Sequence, residues 1–395
     1  HEDVRDLARG AIEDLGAAIQ ADPEDTSSRF RRAVTGVVLG SQELERGEEA
    51  DASLGAAIED FGELVRRDPD DVESRVRYAE ALRRYGSIRI GAGKDGTQLL
   101  IDAVAQLDEA IQRVPSNAPL LMTRSGTLHS VAWLKANAGV DPGDLFERAL
   151  ADAKEAVRLV PDVPTAHAIL GDALSGPAKA AWLRGEVDRE ACLGAIEAYD
   201  RALALDPSLL DPIVYRGTVC EMLGDDDGAA KAFERALAIE PGHDVARAHL
   251  ARARERLATA GEPAWVLDGL RGTHAVAEGS YLAARRFLDR AVEGAGAEAP
   301  ANDLQKETLA GACYNLGCVE SLLSIGVASP GSRPTMTPSA EEAARLRDEA
   351  FAHMKRAAAL GLDNLKGLEG DEDLAPLRSD PRWKDFIERI RQGGK

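Results

Sequence analysis

By type and spacing, the residues that could do chemistry are a glycine-rich run with a lysine, a row of aspartates, seven histidines and four cysteines. In GAGKDGT, Gly91, Gly93, Lys94 and Gly96 offer backbone N–H groups and an ammonium to a phosphate. That motif also needs glycine where Ile88 stands and Ser or Thr where Asp95 follows the lysine, and it should follow a strand rather than a helix. The run reads as a loop. Asp225, Asp226 and Asp227 before Gly228 supply oxygens for calcium, but the glycine comes two positions early and Glu234 stands too near to close the shell as a bidentate ligand. They read as a hairpin turn. The histidines form no HExxH and no serine sits in a GxSxG elbow, so neither metalloprotease nor hydrolase chemistry has its groups. Cys313 and Cys318, five apart on one expected helix, lack zinc-ligand spacing, and four cysteines in 395 residues are no disulfide framework. The expectation is therefore a non-catalytic chain with no metal or cofactor, working in a reducing compartment, taken as the cytoplasm.

Charge narrows the partners. With 48 basic against 68 acidic residues the net charge is −20, which repels a phosphate backbone and argues against nucleic acid. No apolar run approaches the roughly 18–20 residues that span a bilayer, and no charged-then-apolar leader opens the chain, so no membrane partner is expected.

The elements that carry these residues repeat. Ala195, Tyr199, Ala202 and Pro207 fall at offsets of four, three and five, and Ala229, Phe233, Ala236 and Pro241 repeat them 34 residues later. Small residues at i and i+7 with a ring between them make a dense stripe on one helix face, and the proline stops the helix. The same signature stands at Ala11, Leu15, Ala18, Pro23; at Ala57, Phe61, Leu64, Pro69; at Ala103, Leu107, Ala110, Pro115; and at Ala149, Ala153, Ala156, Pro161, with successive prolines 46 apart. A partner helix precedes each stripe except that at Ala11, with a small residue at Ala33, Ala79, Ser125, Gly171 or Gly217; Gly217, twelve before Ala229, is expected to meet that alanine where the helices cross. Gly176 and Pro177 are expected to break the fourth of these partner helices, with Ala178 to Leu183 resuming as a short added helix. Val245 to Ala260 is expected as an extra helix with small Ala251 at its crossing, after which Gly272, Ala284, Leu288 and Ala291 restore the register. Asp380, Pro381, Trp383, Phe386, Ile387 and Ile390 read as a closing helix with one apolar face.

By its period and its small, aromatic and proline positions, the chain resembles the tetratricopeptide repeat family, with several units enlarged to a 46-residue period. CYNLGCVESLL and DEDLAPLRSDPRWKDFIERI resemble the terminal repeat of many bacterial stacks, some attached to serine/threonine kinases. The resemblance implies an all-α, right-handed superhelical solenoid of antiparallel helix pairs. Its expected divisions are an unpaired helix over 1–25, four enlarged units over 26–207, a regular 34-residue unit over 208–243, an irregular region with the extra helix over 244–302, a unit with a long loop at 327–339 over 303–363, and capping helices over 364–395. An unpaired first helix and a leading His1 suggest a piece of a longer polypeptide, with a possible upstream domain.

In this family the first helix of each pair lines a concave groove. Carried onto this register, the groove candidates are Ser27, Phe30, Val34, Val37 and Val38; Glu73, Val76, Glu80, Arg83 and Arg84; Pro119, Met122, Gly126, His129 and Ser130; Thr165, Ala168, Asp172 and Ser175; and Asp211, Val214, Thr218, Glu221 and Met222. They do not supply the Lys and Asn clamp with which chaperone-binding members hold a terminal carboxylate. The function implied is a protein-protein interaction scaffold that takes a peptide segment or partner domain in the groove. The alternative is the regulatory region of a larger bacterial signalling enzyme, a kinase or protease, with its catalytic domain elsewhere.

Overall fold

The computed structural model describes residues 4–46, 48–184, 186–259, 261–296, 300–327, 338–361 and 365–391. Among them every regular element is helical. Most of the expected 327–339 loop, part of the linker at 294–302 and the last four residues lie outside the described residues.

The chain forms two compact units, one of residues up to 134 with 143–173, the other of 135–142 with those from 174 on. The first holds α1 (Val4–Ala21), α2 (Thr26–Glu45), α3 (Asp51–Arg67), α4 (Val72–Gly91), α5 (Thr97–Arg113), most of α6 (Ala118–Asn137), α7 (Leu145–Leu159) and the start of α8 (Pro164–Leu183). Successive helices pack on one another, and the expected stripes are their seams: Ala57, Phe61, Ala103, Leu107, Ala149 and Ala153 are all at most 1% exposed. Starts recur as well. Asp25 accepts from Ser28 N at 2.9 Å, Asp71 from Ser74 N at 3.2 Å and Asn117 from Leu120 N at 3.1 Å, three N-caps 46 residues apart. Six residues after the stop proline, a side chain turns back to its carbonyl: Arg29 to Pro23 O at 3.4 Å, Arg75 to Pro69 O at 2.8 Å, His167 to Pro161 O at 2.8 Å. Each ties a helix start to the preceding turn and satisfies a carbonyl that proline leaves outside the helix ladder.

The second unit contains the rest of α8, then α9 (Arg189–Leu205), α10 (Leu210–Leu223), α11 (Asp226–Ile239), α12 (Asp244–Ala258), α13 (Ala264–Ala277), α14 (Tyr281–Ala295), α15 (Asp303–Leu323), α16 (Ala340–Ala359), α17 (Leu365–Gly370), α18 (Ala375–Arg378) and α19 (Arg382–Arg391). Here α19 buries Phe386 and Ile387 against Phe351, Met354, Leu374 and Leu377, with Trp383 and Ile390 at the edge. Asp380 accepts from Arg382 N at 3.0 Å at its start.

The enlargement now has a location. The helices α2, α4, α6 and α8 each have 20 residues against 14 in α10, while α3, α5 and α9 have 17 against 14 in α11. The added turns carry a second crossing: a Cβ at Gly40 would lie 2.7 Å from Leu54, and one at Gly86 would lie 3.0 Å from Leu100.

Two expectations are corrected. The fourth partner helix is not broken at Gly176 and Pro177, because α8 runs through them. Proline removes one donor from the ladder at a cost of about 3 kcal/mol, and the following turns bury Ala178, Ala180 and Ala181, which offsets it. Ala251 does not face the stack: it is exposed, while Ala246, Leu250 and Ala253 of α12 are buried.

Candidate functional site

Helix crossings decide which faces remain open. A Cβ at Gly217 would stand 2.8 Å from the Phe233 ring and 3.2 Å from Ala232 Cβ; at Gly272, 2.5 Å from Leu288; at Gly317, 2.7 Å from Met354. In each case the glycine meets the large residue one turn past the expected alanine, so Gly217 faces Phe233 and Ala232 first rather than Ala229. In these three pairs a glycine on the first helix thus seats a Phe, Leu or Met side chain of the second, at the same register. This is the helix-pair packing that the resemblance to the tetratricopeptide repeat implies.

No family model matches the chain, and no curated protein matches it. Among solved structures it is similar to TTC0263, a thermophilic TPR protein of Thermus thermophilus, at 20% identity over 56% of this chain and 98% of that one, with a TM-score of 0.39. It is similar to MamA, residues 41 to the end, from Desulfovibrio magneticus RS-1, at 19% identity over 54% and 97% with a TM-score of 0.37. A tetratricopeptide repeat protein from Parabacteroides merdae ATCC 43184 matches at 17% identity over 71% and 98%, TM-score 0.37.

With one face of each first helix committed to the crossing, the opposite faces of α2 and α4 enclose a cleft of about 290 Å³ in the first unit. Val34, Val37 and Val38 of α2, Phe61 of α3 and Ala81 of α4 give it apolar walls; Arg77, Glu80, Arg83 and Arg84 of α4 and Thr123 of α6 give it a polar rim. Phe61 is fully buried at the bottom, with the Phe30 ring edge-on at 5.9 Å. Val38 remains 46% exposed. Arg77 pairs with Glu80 at 3.1 Å, whereas Arg83 and Arg84 are exposed and have no hydrogen bond or ion pair among the described residues. A neighbouring cleft of about 460 Å³ shares Val34 and is bounded by Phe30, Arg31, Ala11, Asp14 and Leu15.

The structure therefore brings together Phe30, Val34, Val37, Val38, Glu80, Arg83 and Arg84 around these two clefts. It does not bring the other candidates there. Val76 and Met122 pack at the edge of the core built by Leu107, Ala110 and Leu121. Glu73 is exposed in the first turn of α4, Asp172 is half-buried on α8, and the His129 ring stands edge-on to Phe146 at 6.0 Å. In the second unit Met222 is buried beside Cys192, Tyr199 and Val219. The Glu221 carboxylate is held between His249 Nδ1 and Arg256 Nη2, both at 2.5 Å. Burial alone would raise its pKa, but these two hydrogen bonds outweigh it and hold the group below the usual carboxylate range. Arg256 also donates to Asp226 at 2.6 Å, so Glu221 and Asp226 belong to an internal ion network that joins α10, α11 and α12. Beside it, the last turn of α8 reaches α14, with the Trp182 and Phe287 rings 5.0 Å apart.

Sequence reasoning missed Arg77, Phe61, Ala81 and Thr123 as lining residues. The signal was there for α4, since Arg77, Ala81 and Arg84 stand at i, i+4 and i+7 and share one face with Glu80.

The glycine-rich run is the connector between α4 and α5, where Lys94 Nζ meets Asp51 at 3.3 Å and Arg89 donates to Asp95 O at 2.9 Å. Asp225 caps α11 by accepting from Gly228 N at 2.9 Å. The four cysteines are buried; burial pushes the thiols of Cys192, Cys220 and Cys313 up to about 11 and raises that of Cys318 well above its ordinary value. Among the described residues no helix is long and apolar enough to cross a membrane.

Proposed function

We propose that the chain is a protein-binding scaffold whose working surface is the open face of α2, α4 and α6, where it takes a peptide segment or the exposed segment of a partner domain. One observation carries this reading: the first helices of successive pairs, already committed on one side to their crossings, leave on the other an apolar cleft with an unsatisfied cationic rim. Ala33 behind the walls and Phe61 and Ala81 within them are fully buried, so an incoming side chain meets a preformed seat. Exposed apolar surface rimmed by polar groups is the usual mark of such a surface.

A selection for peptides that bind the immobilised chain, followed by competition against Val37→Asp and Val38→Asp variants, tests it. The selected peptides should lose binding to both variants while the variants keep wild-type helicity. Peptides that bind the variants as tightly as the wild type would place the working surface elsewhere.

A further inference from the structure

The rim of this cleft says what kind of segment it takes. Its polar side chains are three arginines and one glutamate, with one threonine, in a chain whose overall charge is −20. Glu80 is already matched by Arg77, which leaves the charges of Arg83 and Arg84 unanswered beside Val34, Val37 and Val38. Most of the protein repels an anionic segment and this cleft attracts one, so the charge distribution steers such a segment to the place where an apolar anchor is available.

We infer that the preferred occupant is an acidic protein segment in which Asp or Glu residues bracket one large apolar side chain. This rests on the reading that the cleft is the working surface. Arg83 and Arg84 are adjacent on α4 and so point about 100° apart around the helix. An extended chain advances roughly 3.3 Å per residue, so carboxylates about two or three positions apart can meet Arg83 and Arg84 while a side chain between them enters the apolar walls. A guanidinium takes a carboxylate through two parallel N–H donors, which Lys cannot reproduce. Arg83 and Arg84 reach an internal carboxylate as readily as a terminal one, so recognition does not require a free C-terminus.

The test uses three fluorescein-labelled peptides of equal length, amidated at the C-terminus, each with one central Leu flanked by Asp and Glu, by Asn and Gln, or by Lys. Their binding to the full chain is followed by anisotropy at low and at physiological salt. The acidic peptide should bind at least about tenfold tighter than the neutral one, with the gap narrowing as salt screens the rim. Arg83→Gln together with Arg84→Gln, both exposed and with no hydrogen bond or ion pair among the described residues, should remove most of that preference while leaving helicity unchanged. Arg83→Lys with Arg84→Lys should retain only part of it. Equal binding of acidic and neutral peptides, or acidic binding that survives the glutamine pair, overturns the inference. If the neutral or basic peptide binds and Val37→Asp abolishes it, the cleft stands as the surface and only the acidic preference falls. If none of the three binds, both fall.

Discussion

The crossing at Gly217 can be tested by filling it. A side chain there would begin with a Cβ 2.8 Å from Phe233 Cε1 and Cζ and 3.2 Å from Ala232 Cβ. Phe233 is fully buried, with Ile213, Cys220, Ala229 and Ala253 in the same core, so its ring has no free space to enter. Gly217→Leu must therefore move α10 away from α11 or force the ring off its rotamer, an overpacking that costs about 3 kcal/mol. The substitution also relieves the poor helix propensity of glycine, worth up to about 1 kcal/mol, which leaves a net loss of about 2 kcal/mol. Gly311 is the control. It lies inside α15 with nothing within 4 Å of a Cβ, so Gly311→Ala keeps the propensity gain without the clash and should stabilise by about 0.5–1 kcal/mol. Both variants are measured by urea denaturation of the full chain followed by circular dichroism. Opposite signs are expected. A Gly217→Leu variant as stable as the wild type would show that α10 and α11 do not cross there.

Other outcomes follow from the internal groups. Arg256→Leu leaves Asp226 buried with only Arg271 at 3.9 Å and Glu221 with only His249, and should cost about 3 kcal/mol, read as a lower denaturation midpoint. His274, between Arg256 at 3.1 Å and Glu255 at 3.0 Å, is held below its ordinary pKa of 6.5 by burial and then by the Arg256 charge. The fold therefore favours its neutral ring: this contribution is complete above 6.5 and declines as pH falls from there through the folded value, so Tm should drop on acidification and His274→Gln should flatten the curve in that window. The buried thiols should react with a disulfide reagent only on unfolding, and a fast native-state phase at mildly alkaline pH would contradict their raised pKa values. Asp71→Ala removes the side-chain acceptor at the start of α4 and should cost about 1 kcal/mol.

What the sequence disclosed is what small residues and prolines encode. Gly217, Gly272 and Gly317 announce a crossing because only a missing Cβ admits a neighbour so closely, and the 46-residue interval reappears in the caps at Asp25, Asp71 and Asn117. Other features depend on neighbours that spacing does not name. The path of α8 through Pro177 was hidden because the local rule for proline weighs one lost hydrogen bond, not the alanines buried beyond it. Glu221 carries the same register label as Arg83, yet α12 brings His249 and Arg256 to its carboxylate, and no local pattern announces that α12 takes this position. The bonds from Arg29, Arg75 and His167 to the proline carbonyls were hidden by varied side chains that serve one role. For the cleft, register put Val34, Val37, Val38, Glu80, Arg83 and Arg84 on one surface, and the third arginine and the buried floor came from packing.

The most direct measurement of the central claim is amide hydrogen exchange of the full chain with and without a saturating selected peptide. Protection concentrated on α2 and α4, from Val34 to Val38 and from Arg77 to Arg84, with α5 and the second unit unchanged, is the expected result. Protection confined to the second unit, or to α5, would contradict it.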